Sequence, residues 1–145
     1  MRGMGVKSCI FHDPGLGRQE RVLFEIVERA YNGHEKVLVF VQSEERAVAL
    51  DRILWILKQE AFIPHKMLSR DEPDSKVPVA IVTAEINPID ARILIADGHC
   101  SLEFTLDFDS VHEFVNRTSP ELQEACRERF RSYRARQIPV EHLKE

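Results

Sequence analysis

The chain has 145 residues and a formal net charge of -4, and 43% of its residues are hydrophobic. This length and hydrophobic content favour a single domain with one core over residues 1–145. Charged residues make up 30% of the chain, and no stretch is apolar for the roughly eighteen residues that a membrane span requires. The first residues do not form a signal peptide either, so we expect a cytoplasmic protein with no membrane contact.

The three cysteines, Cys9, Cys100 and Cys126, are an odd number at wide and unequal spacing. That pattern fits neither a disulfide framework nor a zinc site, so we expect reduced thiols, two of them buried. His99 precedes Cys100, but no second pair of ligands stands at the spacing that a metal site needs. We therefore expect no metal site and no cofactor.

Short apolar runs alternate with amphipathic segments in the first two thirds of the sequence. Val, Ile, Leu and Phe dominate the short runs, which is typical of strands, and the longer segments repeat apolar residues every three to four positions, which is typical of helices. The predicted elements, in chain order, are a strand at 6–11, a helix at 18–31, a strand at 36–42, a helix capped by Ser43, a surface loop at 69–76, and strands at 77–84 and 91–97.

The last third of the chain has a different pattern. Apolar and polar residues alternate strictly over 102–108, which predicts a strand with one wet face near a sheet edge. A short helix is expected from 109 or 110 to 115, and Ser119 followed by Pro120 opens the last and longest helix.

The order of these elements predicts an α/β fold in which a largely parallel central sheet lies between helices, with room for an antiparallel strand at one edge. Such folds often bind nucleotides, and the turn at 13–18 is where a phosphate-binding loop would lie. It supplies Gly15 and Gly17 but no third glycine and no Gly-Lys-Ser/Thr. A nucleotide-binding enzyme domain that resembles the second lobe of a helicase is therefore the alternative function.

Catalytic motifs are equally sparse. The sequence has no nucleophile elbow of the G-x-S-x-G type. Asp107, Asp109 and Glu113 are carboxylates near the end of a predicted strand, but helix capping and a solvated face explain them. We therefore expect a protein that is not itself an enzyme.

Positive charge is concentrated in residues 125–136, ACRERFRSYRAR, which hold five arginines and one glutamate. The segment has a formal charge of +4, which leaves -8 for the rest of a chain whose total is -4. At about 100° per residue, one stripe of this helix packs on the sheet and a second, basic stripe lies beside it. The first stripe holds Leu122, Cys126, Phe130 and Tyr133, and the second holds Arg127, Arg131 and Arg134.

Two interpretations of the basic stripe remain open. The helix could be a solvated one in which Glu124 pairs with Arg127 and Glu128 pairs with Arg131. Alternatively, the arginines clamp carboxylates in paired hydrogen bonds while a neighbouring aromatic ring seats an apolar side chain. The second arrangement suits an acidic peptide with a hydrophobic tip. Nucleic acid suits it less, because the acidic surroundings repel a phosphate backbone.

A second unusual stretch, LWILKQEAFIPHKM, follows at 54–67. Trp55 projects about 100° away from the apolar stripe of its helix, and Phe62 and Pro64 come just after the helix ends. These residues are either core, if both helix faces are covered, or an exposed aromatic patch for a partner.

Together, LDRILWILKQEAFIPH at 50–65 and ACRERFRSYR at 125–134 resemble the chi subunit of bacterial DNA polymerase III. The resemblance implies a non-catalytic accessory subunit of the replicative polymerase, attached to the clamp-loader assembly. Members of that family bind the acidic C-terminal tail of single-stranded-DNA-binding protein, which ends in Pro-Phe and a free carboxylate. They also bind a small subunit named psi, and contact nucleic acid only indirectly.

The same resemblance implies a role for particular residues. Those carried over to the tail of single-stranded-DNA-binding protein are Arg127, Phe130, Arg131, Tyr133 and Arg134. Those carried over to psi or to a competing helicase are Trp55, Phe62 and Pro64.

Overall fold

A computed structural model describes residues 8–15, 17–57, 63–69 and 76–144. They form a seven-stranded sheet with four helices. The elements, in chain order, are β1 Ser8–Asp13, α1 Gln19–Asn32, β2 Val37–Phe40, α2 Glu44–Leu57, β3 His65–Met67, β4 Val79–Val82, β5 Ile93–Ala96, α3 Leu102–Thr105, β6 Ser110–Phe114, α4 Pro120–Ala135 and β7 Val140–Lys144.

The strands lie in the order β3-β4-β2-β5-β6-β1-β7, and every neighbouring pair is parallel. This confirms the α/β fold with a parallel sheet. The prediction of an antiparallel strand at one edge is wrong, because the two edge strands, β3 and β7, both run parallel to their neighbours. Strand β1 lies between β6 and β7, so that Phe11 is level with Glu113 on one side and His142 on the other.

Two apolar layers hold the helices on the sheet. The layer under α1 and α2 is built from residues such as Leu23, Val27 and Leu50, and the layer under α3 and α4 from residues such as Phe104, Phe108 and Tyr133. Strands β2, β4 and β5 are buried along their whole length because both of their faces are covered. No helix within the described ranges is both long and apolar enough to cross a bilayer.

The predicted strand at 102–108 is wrong, because this segment begins with α3. The side chain of Ser101 caps the helix by accepting the N–H of Phe104 at 3.2 Å. Ser101 is itself anchored, since its hydroxyl donates to Glu85 at 2.7 Å. The helix cap at Ser101, which is anchored by Glu85, therefore outweighs the strand preference of the alternating apolar residues.

The predicted helix at 109–115 is also wrong, because these residues form β6 between β5 and β1. Two strand neighbours satisfy its main chain on both sides, which outweighs the capping signal of Asp109 or Ser110. Strand β7 was not predicted. It is short and mostly exposed, so its apolar residues give no clear alternation.

All three cysteines are unpaired and buried, one more than the two expected to be buried. Removal from water, together with the negative charge of Glu113, raises the pKa of Cys100 to about 12, so its thiol stays protonated.

The face of β6 under α1 carries a histidine pair. Nε2 of His12 lies 2.9 Å from Nδ1 of His112, and the two rings stack with centroids 5.1 Å apart. Desolvation, with contributions from His12 and Arg29, lowers the pKa of His112 to about 3. The imidazole of His112 is accordingly held in surroundings that disfavour a positive charge.

Candidate functional site

Helix α4 is fixed at its start and along its inner face. The Ser119 side chain accepts the N–H of Leu122 at 3.1 Å, and Pro120 occupies the first turn, as expected from the sequence. Cys126 and Tyr133 are buried against the sheet and Phe130 is half-buried. The inner stripe is thereby confirmed for these three residues, but Leu122 is 38% exposed.

A buried ionic network sets the rotation of α4. Glu113 of β6 is fully buried and accepts two hydrogen bonds from Arg129, with Nη2 to Oε2 at 2.6 Å and Nε to Oε1 at 3.0 Å. The hydroxyl of Tyr133 also donates to Oε2 at 2.8 Å, and Nη1 of Arg129 donates to the carbonyl of Cys100 at 2.6 Å. Every part of this carboxylate is therefore partnered, as a buried charge requires.

The charge states within this network follow from its contacts. Desolvation opposes the charge on Arg129, but its hydrogen bonds and attraction to Glu113 are stronger and raise the pKa of this guanidinium. Burial and the same carboxylate raise the pKa of Tyr133, so its hydroxyl remains a donor.

A hollow of about 320 Å³ lies between α4, β7 and the end of β6. The rings of Phe11 and Phe130 meet at its floor with centroids 5.3 Å apart. Its lining combines an apolar floor with a basic and polar rim, and consists of Phe11, Val115, Arg117, Gln123, Cys126, Arg127, Phe130 and His142. The hollow can therefore accept an apolar group that carries negative charge at its edge.

Asp13 ties two of the rim residues together. It accepts Arg117 Nη2 at 2.6 Å and lies 2.9 Å from Nε2 of His142. The hydrogen bond from Arg117 is the largest of the effects that lower the pKa of Asp13, and it outweighs desolvation. The carboxylate is therefore ionised and holds both basic groups at the rim, although Arg117 itself remains half exposed.

Arg127, Arg131 and Arg134, which we name the arginine ridge, are all exposed. Nη2 of Arg131 lies 2.7 Å from both Glu124 and Glu128, and Nη1 of Arg127 lies 3.5 Å from Glu124. Both ion pairs of the first interpretation, Glu124 with Arg127 and Glu128 with Arg131, are thus present. These pairs are at the surface and highly hydrated, so an incoming carboxylate can replace them.

Arg134 makes no ion pair with any residue that the structure describes. Within the described residues, the ridge therefore combines one arginine that makes no ion pair with two that share their charge with acids of the same helix. Arg127 is the member that also lines the hollow.

The structure brings Arg127 and Phe130 together at the hollow and leaves Arg131 and Arg134 on the outer side of the helix. The assignment of Tyr133 to the tail-binding surface is corrected by the structure. Its ring is fully buried and its hydroxyl is bonded to Glu113, so it supports the helix from below and cannot contact a surface ligand. Helical periodicity placed Tyr133 on the inner stripe, and only the resemblance to the chi family implied a position beside the tail.

Several residues of the hollow are not among the predicted site residues, namely Phe11, Val115, Arg117 and His142. They come from three other parts of the chain and meet only because β1 lies between β6 and β7. Of these four residues, Arg117 alone has a signal in the sequence that could have indicated the site. It is a basic residue in the polar loop just before the arginine-rich helix.

A second surface lies near the opposite edge of the sheet. Trp55 is 46% exposed, which excludes the core interpretation, and its ring lies 4.2 Å from that of the buried His65. Pro64 is exposed, whereas Phe62 lies outside the described residues. The large exposed apolar side chains of α2 and β3, which we name the tryptophan surface, are Val48, Trp55, Ile56 and Met67. Six strand spacings, about 28 Å, separate the two edges of the sheet.

Comparison with known proteins identifies the family. A family model described as DNA polymerase III chi subunit, HolC, matches residues 7–141. The chain belongs to the DNA polymerase III chi subunit family. Its similarity extends to the chi subunit of Escherichia coli K12, at 31% identity over 121 residues, and to that of Pseudomonas aeruginosa PAO1, at 32% over 132 residues. These alignments cover 83% and 89% of this chain, and 81% and 87% of the two relatives.

Solved structures share the fold of this chi-family chain at low sequence identity. The C-terminal domain of the DEAD-box protein Dbp5 matches with a TM-score of 0.62 at 11% identity, over 97% of this chain and 91% of that domain. A DEAD box protein from Methanococcus jannaschii matches with a TM-score of 0.61 at 14% identity, over 96% of this chain and 42% of its own. These similarities concern the fold alone.

Proposed function

We propose that this chi-family chain is a non-catalytic adaptor in DNA replication, acting in the cytoplasm. It binds the acidic C-terminal tail of single-stranded-DNA-binding protein and links it to the clamp-loader assembly. The observation that carries the proposal is the position of Arg127 on the rim of an apolar hollow whose floor includes Phe130. A charged rim around an aromatic floor matches a peptide end that has both a carboxylate and an aromatic side chain.

The chemistry of the hollow supports a peptide end over a larger ligand. Its volume of about 320 Å³ lies at the lower limit of small-molecule pockets, which span about 300–1,000 Å³. One aromatic side chain suits such a volume. Arg117 and Arg127 then lie at the rim, where a terminal carboxylate would accept their hydrogen bonds, and Arg131 and Arg134 extend the positive surface for acidic residues further up the tail.

The decisive experiment measures binding of a synthetic acidic peptide ending in Pro-Phe. Because a guanidinium clamps a carboxylate through two hydrogen bonds, Arg127→Ala should weaken the peptide by about ten- to a hundredfold. Thermal unfolding should stay nearly unchanged, since Arg127 is exposed. Calorimetric titration at a fixed salt concentration gives the affinity.

Arg92→Ala is the matched control. Arg92 is an exposed arginine that precedes β5, at the opposite end of the strands from the hollow, and it also contacts an acid, Asp109. Its removal should change the affinity by less than about twofold. Equal affinities of Arg127→Ala and the unmodified protein would contradict the proposed tail site.

The tryptophan surface supports the second half of the proposal, the link to psi or to a helicase that competes with it. An exposed tryptophan beside other apolar side chains is typical of a protein interface, where such residues dominate the binding energy. Trp55→Ala should weaken binding of psi by about tenfold or more while peptide affinity stays unchanged. A pull-down with purified psi, run alongside the peptide titration, checks both. Loss of both activities in Trp55→Ala would show that the two surfaces are not independent.

The likeness in fold to DEAD-box domains favours one alternative, a nucleotide-binding domain. The end of β1 argues against it, because Asp13 places an ionised carboxylate there. A polyphosphate there would meet like charge. Equilibrium dialysis against ATP and Mg²⁺ should detect no retained nucleotide, and tight retention would favour the alternative.

A further inference from the structure

The outer edge of β7 is not paired with any strand that the structure describes. In a parallel pair, alternate residues direct their N–H and C=O groups toward the neighbouring strand. The N–H of Cys9 donates to the carbonyl of Pro139 at 3.0 Å, and Cys9 is level with Val140. The main chains of Glu141 and Leu143 consequently face β1, whereas those of Val140, His142 and Lys144 face outward.

The residue at the centre of this open edge also contributes to the hollow. His142 is level with Phe11, and the side chains of both line the hollow on the α4 face of the sheet. Strand side chains stand perpendicular to the sheet while main-chain groups lie in its plane. His142 therefore presents an imidazole to the hollow and free main-chain groups to the edge beside it.

The arginine ridge faces the same edge. Arg129 points from α4 toward Glu113 of β6. Arg127, two residues earlier, projects about 160° away from Arg129 around the helix axis, so it points toward β7. The contact of Arg127 and His142 with one hollow agrees with this direction. From Arg127 to Arg134 the ridge is about 10 Å long, the length of about three strand residues.

The ridge and β7 are also aligned. Helix α4 connects the carboxyl end of β6 to the start of β7, so it runs back along the sheet. Arg134 is accordingly nearer to Val140, and Arg127 nearer to the hollow and His142. An extended chain on this edge would have carboxylates opposite the ridge and its end at the hollow.

We propose that the acidic tail binds as an eighth strand, parallel to β7 on its open edge, with its last side chain in the hollow and its acidic residues beneath the arginine ridge. This inference rests on the proposed function and adds the mode of binding. The direction follows from the ridge, because the positive residues lie toward Val140 and the part of the tail that precedes its end must run past them. A short segment that adds a strand gains affinity from main-chain hydrogen bonds.

The Pro-Phe ending fixes which peptide N–H groups take part. Only alternate residues of an added strand donate to β7. Proline has no N–H, so the paired set contains the last residue and the third from the end, and the fourth from the end points to solvent. The residue before a proline is also biased toward extended backbone, as a strand requires.

Single N-methylation of the peptide tests this arrangement. A methyl group on the nitrogen of the third residue from the end removes a donor and collides with β7, so affinity should fall at least tenfold. The same methyl group on the fourth residue from the end is the matched control, and affinity should change by less than twofold. The full chain and calorimetric titration are used for both peptides and for the unmodified one.

Amide hydrogen exchange supplies a second measurement on the protein. The amides of Val140 and His142 should exchange fast without peptide and slow by at least tenfold with it. Those of Glu141 and Leu143 should be protected in both states, because they already donate to β1.

Three results would overturn the inference, and each is distinct. If the unmodified peptide does not bind, the proposed function fails and the strand addition fails with it. If the peptide binds but tolerates both methyl groups equally, strand addition alone fails. If the amides of Val140 and His142 are protected without peptide in a dimer that forms with rising concentration, the edge belongs to a second copy of this chain.

Discussion

The two faces of strand β6 place polar side chains in opposite electrostatic surroundings. Under α4, Glu113 is fully buried as a carboxylate that accepts hydrogen bonds from Arg129 and Tyr133. Under α1, the adjacent His112 pairs with His12, and its surroundings lower its pKa to about 3. One face thus holds a charge and the other excludes one, although the two residues are consecutive.

This contrast between the two faces explains how the protein orients its candidate binding surface. A buried ion pair is specific in direction, since a guanidinium meets a carboxylate in one plane with two hydrogen bonds. Arg129 and Glu113 therefore fix the rotation of α4, and the arginine ridge on its other side faces outward as a result. The histidine pair adds packing without fixing an external residue, because neither ring is part of the hollow or the ridge.

The largest effect is expected from breaking the ion pair. Arg129→Ala leaves the charge of Glu113 buried without its partner, which should lower the free energy of unfolding by about 3–5 kcal/mol. Urea denaturation at neutral pH measures it. Arg131→Ala is the matched control on the same helix, and should leave the unfolding midpoint unchanged because Arg131 is exposed. Equal stability of the two variants would show that the buried pair does not hold α4.

The next largest effect concerns the histidine face and pH. The pKa of His112 is about 3 in the folded protein and about 6.5 in an unfolded chain. Between these values the unfolded chain binds a proton that the folded protein does not, so stability falls as pH decreases below 6.5. From pH 7 to pH 5 the loss should be about 2 kcal/mol.

His112→Asn isolates this contribution, because it removes the titrating group while other acids and histidines remain. Desolvation also lowers the pKa of His99, so the variant should keep part of the acid sensitivity. Urea denaturation of both proteins at pH 7 and pH 5 gives the difference. An identical pH dependence in both would mean that His112 does not resist protonation.

The smallest effect is expected at the third member of the ionic network. Tyr133→Phe removes one hydrogen bond to Glu113 but keeps the ring in place, so the free energy of unfolding should fall by about 1.5 kcal/mol. The loss is modest because Arg129 still donates to both carboxylate oxygens. Peptide affinity should not change, since the hydroxyl is buried. A lower peptide affinity at unchanged stability would return Tyr133 to the binding surface.

The last helix could be predicted from the sequence because its signals are local. Ser119 and Pro120 mark its start, and a repeat of 3.6 residues separates the inner stripe from the arginines. The parallel sheet was predictable for a similar reason, since fully buried strands such as β2 and β5 consist of continuous apolar runs.

The remainder depends on residues far apart in the sequence. Glu113 is satisfied by Arg129, sixteen residues away, so neither residue alone signals a buried pair. The capping serine of α3 is anchored by Glu85 across the same number of residues. The hollow requires Phe11 and His142, which meet only through the pairing of β1 with β7. Periodicity depends on residues that are close in the sequence, so it cannot predict contacts between residues that are far apart in it.

The position of β1 between β6 and β7 affects how the chain folds on the ribosome. This strand precedes every other described strand along the chain, yet its neighbours in the sheet are β6 and β7, which end at Phe114 and Lys144. Until those strands emerge from the ribosome, β1 has no neighbouring strand to accept or donate its main-chain hydrogen bonds. We therefore expect folding of this half of the sheet to be post-translational or late, with chaperones covering the early apolar strand in the meantime.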